Sequence, residues 1–173
     1  MPYKINRKTK FTERVIVSIE NVRRYLQAFG KEREIREFSV SSATVALAAQ
    51  ALHCEEGKIA KTLSFHNEDG GCLIIVMAGD CKIDNQKFKK YFGFKARMLS
   101  GEEVEALTGH APGGVCPFAL KDGCLVYCDE SLRRFESFFP ACGSSNSAIE
   151  LNCDELEKLS RCRGWIDVSR LKD

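Results

Sequence analysis

Three short stretches of this sequence carry residue types and spacings that could do chemistry. The first is Gly113-Gly114-Val115-Cys116-Pro117-Phe118-Ala119-Leu120. Two glycines permit backbone geometries that other residues resist, and they let a ligand approach the main chain closely. Pro117 fixes its own φ and pushes Cys116 towards extended conformations, while Val115 and Phe118 can anchor the segment in a core. A loop mounted in this way offers backbone N–H groups to a phosphate or a developing oxyanion. The same residues also suit a tight turn that enters a strand. The second stretch holds Lys61. Across 58–66, Ile59, Lys61, Leu63 and Phe65 alternate with Ala60, Thr62, Ser64 and His66, so a strand would set Lys61 in the middle of an apolar face. An inward lysine is costly unless it meets an anion or a wet pocket, or lays its stem on the core and carries the amine to water. The third is Cys142-Gly143-Ser144-Ser145-Asn146, a second loop of small residues.

More familiar chemistry fits less well. Nine cysteines raise the question of zinc, but no Cys-x-x-Cys pair is present. Cys124 and Cys128 would share a strand face roughly 13 Å apart, too far to chelate one ion. Buried small apolar side chains account better for most of these thiols. A Cys116 nucleophile with His110 as base is conceivable, yet Pro117 follows directly and no helix N-terminus is placed to lower the thiol pKa. His53 and His66 are isolated. Neither a Walker loop nor a dinucleotide fingerprint is present. What remains is a pocket that positions and polarises a substrate rather than one that attacks it.

The elements that must hold these stretches can be read in part. The chain has 173 residues, 44% hydrophobic and 29% charged, enough for one domain with a substantial core. Net charge is +2, which neither demands nor excludes nucleic acid, since local patches decide phosphate binding. No apolar run spans a bilayer. The start is basic without an apolar h-region, and the cysteine count is odd, so reduced thiols in a cytoplasmic protein are expected. Residues 1–14 read as a basic arm, either a solvated tail or an RNA contact. Ile19, Val22, Leu26 and Phe29 recur at helical spacing, ended by Gly30. Ser41 and Ser42 predict the start of a helix running through Leu52. The unbroken apolar run Cys72 to Ala78 predicts a strand buried on both faces. Asp84 caps a helix bearing Phe88, Tyr91 and Phe92. Lys87, Lys89, Lys90, Lys95 and Arg97 form the densest basic cluster, a solvated face or a tRNA-backbone patch. Ser100 with Glu103, and Asn152 with Glu155, read as capping boxes. Lys121-Asp122-Gly123 predicts a hairpin turn before a strand at 124–128. Strands and helices interleave irregularly, which argues for α+β architecture in a single domain.

Taken in order, Lys61-Thr62-Leu63, Thr108-Gly109 followed by the loop from Gly113 to Phe118, Asp129, and Ile149-Glu150-Leu151 before a capped helix resemble the YbaK / prolyl-tRNA-synthetase-associated editing domains. The likeness covers about residues 35–170. It implies a mixed, mostly antiparallel and partly barrel-like sheet with flanking helices over 35–173, with 1–34 as a basic arm and amphipathic helix outside the match. It also implies a stand-alone deacylase that hydrolyses the ester joining a wrong, small amino acid to tRNA, with tRNA(Pro) charged with Cys or Ala as the best guess. A non-catalytic relative that binds aminoacyl-tRNA or a synthetase is the alternative. The expected ligands are the acceptor end of a mischarged tRNA and, as a partner, prolyl-tRNA synthetase; no cofactor, metal or membrane is implied. Carried over by motif, Lys61, Gly113 and Gly114 would be catalytic. Thr62, Val115, Cys116, Pro117, Phe118, Cys142, Gly143 and Ser144 would bind substrate. The chain departs from the family at Ala119, where many members have Gly, and at Ala141 and Ala148, where the cysteine-clearing branch often has Ser and Asp.

Overall fold

The computed structural model describes residues 18–173; the basic arm read over 1–14 lies outside them. Helix α1 is helical over 18–27. Strand β1 (Arg36–Glu37) and helix α2 (Val45–Leu52) follow, then strands β2 (Ile59–His66), β3 (Cys72–Ala78) and β4 (Cys81–Ile83). Helices α3 (Asn85–Phe92) and α4 (Gly101–Thr108) lead to β5 (Cys124–Asp129), β6 (Phe139–Pro140) and β7 (Ser147–Ala148). Helix α5 (Cys153–Ser160), β8 (Trp165–Ile166) and β9 (Ser169–Leu171) complete the order.

The central sheet runs β6-β2-β3-β5-β8, and two-stranded ribbons β1-β7 and β4-β9 flank it. The sheet is mixed. Only β2–β3 is antiparallel within it, while β2–β6, β3–β5 and β5–β8 are parallel. With the two antiparallel ribbons and the isolated antiparallel bridges Phe65–Met98, Phe138–Leu151 and Ala141–Ala148, antiparallel pairing predominates among the described residues. The parallel β3–β5 pairing follows from the connection: α3 and α4 lie between β3 and β5, and a helical crossover returns the chain in the same direction. Gly123 accordingly ends a turn, not a hairpin, and the strand after it pairs with β3 instead of its predecessor.

Every residue of β3 is buried, as an apolar run with strands on both sides requires. Val22 and Leu26 of α1, wholly buried, share the core with β3, Phe88, Phe118, Leu156 and Ile166. Each such side chain contributes about 1.5–3 kcal/mol of burial, so α1 is built into the same core as the sheet. A smaller apolar cluster, Ala48, Ala49, Ile59, Phe139 and Ala148, lies under α2. Asp84, Ser100 and Asn152 cap their helices, the last two through full capping boxes. Helix α2 starts later than its serines suggest, with Thr44 as the cap. Ser42 is drawn into tertiary bonds instead: its N–H and its hydroxyl both donate to the Ser145 carbonyl, at 2.6 and 3.1 Å. Two residues of helix give way to a strap that ties 38–42 to the 142–146 loop.

Candidate active site: a cavity between β2, α2 and the glycine loop

The cavity opens where β2 loses a neighbour. Strand β2 pairs with β6 only at Ile59 and Ala60. Further along, Ser64 accepts from the Leu99 N–H and the His66 N–H donates to Arg97. Alternation then turns the main-chain groups of Thr62 to the same outer edge, in the gap between those two pairings. A cavity of about 170 Å³ fills that gap. Its walls are Ser42, Ala43, Thr44, Val45, Ala48 and Leu52 from the α2 region, Ile59 to Thr62 from β2, Gly113 and Val115 from the glycine loop, and Phe139, Ala141, Ser147 and Ala148.

Lys61 is half-buried, and its ammonium donates to the carbonyl oxygens of Gly79, at 3.5 Å, and Cys81. Two of its three donors are thereby used and one is left. Burial first, and the charge of Lys172 second, pull its pKa down to about 8. Thr62 is its complement. The hydroxyl oxygen is buried and has no hydrogen-bond partner among the described residues, an arrangement that costs stability unless a ligand supplies the bond.

The glycine loop divides into a front and a back. Gly113, exposed and at φ +88°, faces the cavity with Val115. The Gly114 N–H is committed to the Ala111 carbonyl at 3.0 Å, so this amide is not free for an oxyanion. No protein acceptor takes the N–H of Gly113 or Val115 among the described residues. Gly114 packs backbone to backbone on the second loop: an added Cβ would stand 2.9 Å from the Gly143 oxygen. Gly143 in turn rests on α1, where a Cβ would meet the Ser18 oxygen at 2.9 Å.

Cys116, Phe118 and Cys142 are wholly buried and Ser144 nearly so; none of them lines the cavity. Pro117 faces a different cleft, with Tyr25 and Arg161. The Ser144 hydroxyl donates to Asn146 Oδ1 at 2.9 Å and accepts from Ser147, whose own residue lines the cavity. Lys61, Thr62, Gly113 and Val115 therefore meet at the cavity, whereas Gly114, Cys116, Phe118, Cys142, Gly143 and Ser144 form its backing. The walls from α2 and from 139–148 had no chemical signal in the sequence, because alanines and a phenylalanine read as core. Only Ser42 carried a hint, and it read as a cap.

Behind the loop sits a knot that resembles a catalytic dyad without being able to act as one. His110 Nε2 is 2.7 Å from the Phe118 carbonyl and 3.5 Å from Cys116 Sγ, and Nδ1 is 2.7 Å from Ser18 Oγ. A carbonyl can only accept, so Nε2 carries the proton and Nδ1 accepts from Ser18. The nitrogen nearest the thiol has no room for its proton. Burial holds His110 below the usual imidazole range and pushes the Cys116 thiol up to about 12. Asp129, also wholly buried, accepts from the Ser131 and Val168 N–H groups, each at 3.0 Å, and from the Ser169 hydroxyl at 2.5 Å. It pins β5 to the segment between β8 and β9.

Of the basic cluster, Lys87 is paired with Asp167 at 2.8 Å, while Lys89, Lys90, Lys95 and Arg97 are exposed. All nine cysteines are free. No helix among the described residues is long and apolar enough to cross a membrane.

The fold is that of a known class. The model of the aminoacyl-tRNA editing domain matches residues 40–159, most of the chain, and the chain belongs to that family. A particular relative, the uncharacterised protein YwhH of Bacillus subtilis, is 50% identical over 154 residues, which cover 89% of this chain and 98% of that protein. EbsC of Enterococcus faecalis, which bears the name of a Cys-tRNA(Pro)/Cys-tRNA(Cys) deacylase, is 31% identical over 104 residues, 60% of this chain and 63% of its own length. A solved structure described as a trans-editing enzyme for prolyl-tRNA synthetase superposes with a TM-score of 0.80 at 29% identity, over 88% of this chain and 97% of that one.

Proposed function

We propose that this chain is a trans-acting aminoacyl-tRNA deacylase that hydrolyses the ester of a small mischarged amino acid, with tRNA(Pro) as its carrier. The observation that carries this reading is the meeting of Lys61, the unpartnered Thr62 hydroxyl and the free Gly113 and Val115 amides at one small cavity. At about 170 Å³ the space is close to the ~150 Å³ that holds a benzene. An amino-acid side chain with its ester fits; the terminal adenosine must lie outside. Walls of alanine, valine and leucine, broken by hydroxyls, suit a small side chain and leave no room for a bulky one.

The reaction needs little from the protein. An aminoacyl ester is already reactive, so a water, or a group on the substrate itself, can attack the carbonyl once it is positioned. Charge then develops on the carbonyl oxygen. The Gly113 and Val115 N–H groups are fixed donors for it, and the first turn of α2, whose Thr44 and Val45 line the cavity, adds the positive end of a helix. The Lys61 ammonium holds the substrate's anionic part, and Thr62 supplies or accepts a hydrogen bond at the amino-acid end. Such a cavity acts as a second sieve, removing products that a synthetase pocket separates poorly. The experiment is direct: purified protein is offered a panel of tRNAs mischarged with Ala, Ser, Cys and larger amino acids, and ester loss is followed. Selective loss of small amino acids is expected. Deacylation of none of the panel overturns the proposal in favour of a binding protein.

A further inference from the structure

Around the β3–β4 turn the cations are not treated alike. Lys82 is paired with Asp173 at 2.6 Å, Arg134 grips Asp80 with two bonds, at 3.0 and 2.5 Å, and Arg170 reaches Asp173 at 3.6 Å. Lys61 and Lys172 have no carboxylate partner among the described residues. Yet the backbone brings them together. Lys61 donates to the carbonyls of Gly79 and Cys81, while the Lys172 N–H donates to the carbonyl of Asp80, between them, at 2.9 Å. The β4–β9 ribbon, with Cys81 opposite Leu171, fixes this register. After burial, the charge of Lys172 is the next cause that depresses the Lys61 ammonium. Two unneutralised cations held beside one turn repel each other unless an anion bridges them. Asp80, the only nearby carboxylate on that turn, is already taken by Arg134.

We propose that Lys172, together with Lys61, forms a phosphate subsite that takes the backbone phosphate of the substrate's 3′-terminal nucleotide beside the β3–β4 turn. This rests on the deacylase reading for its substrate and on the geometry of residues 79–81 for its place. On that reading the cavity takes the aminoacyl group and not the nucleoside, so the terminal phosphate falls outside it; the turn that carries the two lysines abuts the cavity wall, since a Cβ on Gly79 would meet Val45 at 2.6 Å and the Ile59 oxygen at 3.2 Å. Lys172 is a positioning residue: it fixes where the ester lies and touches no reacting atom. Its side chain is free to change, because its structural bond is made by the backbone N–H.

The test uses adenosine 5′-monophosphate and adenosine as probes of the whole protein, with lysine side-chain NMR signals as readout. The monophosphate is expected to shift the Lys61 and Lys172 signals, and adenosine is not. Lys172→Gln is expected to weaken monophosphate binding about five- to tenfold, and Lys172→Arg to restore it. In deacylation, Lys172→Gln should raise KM for aminoacyl-tRNA with kcat nearly unchanged, and flatten the salt dependence by about 0.7 in log–log slope, the value for one single-strand phosphate. Equal binding of the two probes, or a Lys172→Gln variant that binds the monophosphate as wild type does, overturns the subsite. If the monophosphate binds as stated but no mischarged tRNA is hydrolysed, the subsite stands and the deacylase reading is what fails.

Discussion

Two regions of this molecule bring together residues of catalytic type, and they have opposite fates. In front of the glycine loop, Lys61 and Thr62 keep unused hydrogen-bonding capacity beside an open cavity. Behind it, His110 lies within hydrogen-bond reach of both Ser18 and Cys116, but every polar atom is spent and all three are buried. The thiol cannot ionise near neutral pH, and the imidazole offers it no acceptor. Chemistry therefore follows from what a side chain has left over, not from which side chains are close. A satisfied Ser–His–Cys cluster fastens α1 to the loop; an unsatisfied threonine and a half-engaged lysine wait for a ligand.

The comparison can be broken most severely at Lys61. Lys61→Ala should lower kcat/KM for a mischarged tRNA by at least ~100-fold, the scale of losing one charge-stabilising donor, while the melting temperature stays within a few degrees of wild type. Single-turnover deacylation and a thermal melt measure the two. Retained turnover would move the chemistry elsewhere.

Next in size is a lesion of the backing. Gly143→Ala places a methyl at φ +91° and 2.9 Å from the Ser18 oxygen. Urea unfolding should show a loss of about 2–4 kcal/mol. If stability is unchanged, the two loops do not stack on α1 as described.

Thr62→Val sharpens the contrast because its two effects have opposite signs. Removing an unpartnered buried hydroxyl should raise stability by about 1 kcal/mol, and the lost substrate bond should cost about three- to tenfold in kcat/KM. A fall in stability would mean that the hydroxyl already has a partner.

Titration separates the regions again. Protonated Lys61 is the binding form, so kcat/KM should decline as pH rises through about 8. His110 works in the other direction. Its folded pKa lies below its unfolded one, so the unfolded state takes up its proton first and stability is lost as pH falls through the ordinary imidazole range. Activity loss at high pH without unfolding, and unfolding at low pH that His110→Gln shifts, would assign each group to its region.

The smallest effect belongs to Cys116. Cys116→Ala should keep activity within about threefold, since the residue lines no cavity, and cost about 1 kcal/mol as a small core truncation. Iodoacetamide should leave the wild type active at neutral pH. Inactivation that the alanine variant escapes would revive the thiol-hydrolase reading.

Much of the scaffold was legible because its signals are local. Alternation placed β2, the apolar run placed β3, and three side-chain caps placed the starts of α3, α4 and α5. Signals that depend on distant partners misled. Ser42 has the chemistry of a cap and serves instead as a strap to Ser145. Gly123 has the chemistry of a hairpin turn and precedes a parallel strand. Within the loop, Gly113 and Gly114 look equivalent, yet one amide is free and the other is bonded to Ala111.

The sequence by itself determined the strand that carries Lys61 and Thr62, the loop that carries Gly113 and Val115, and the family likeness that ties them together. Period and backbone sterics act over a few residues, so a few residues suffice to reveal them. Only the tertiary structure decided which of those groups stay unsatisfied. A hydrogen bond is used up by whichever partner the fold brings within 3 Å, and for His110, Gly114 and Ser42 that partner lies in another segment or across a turn that the sequence does not fix.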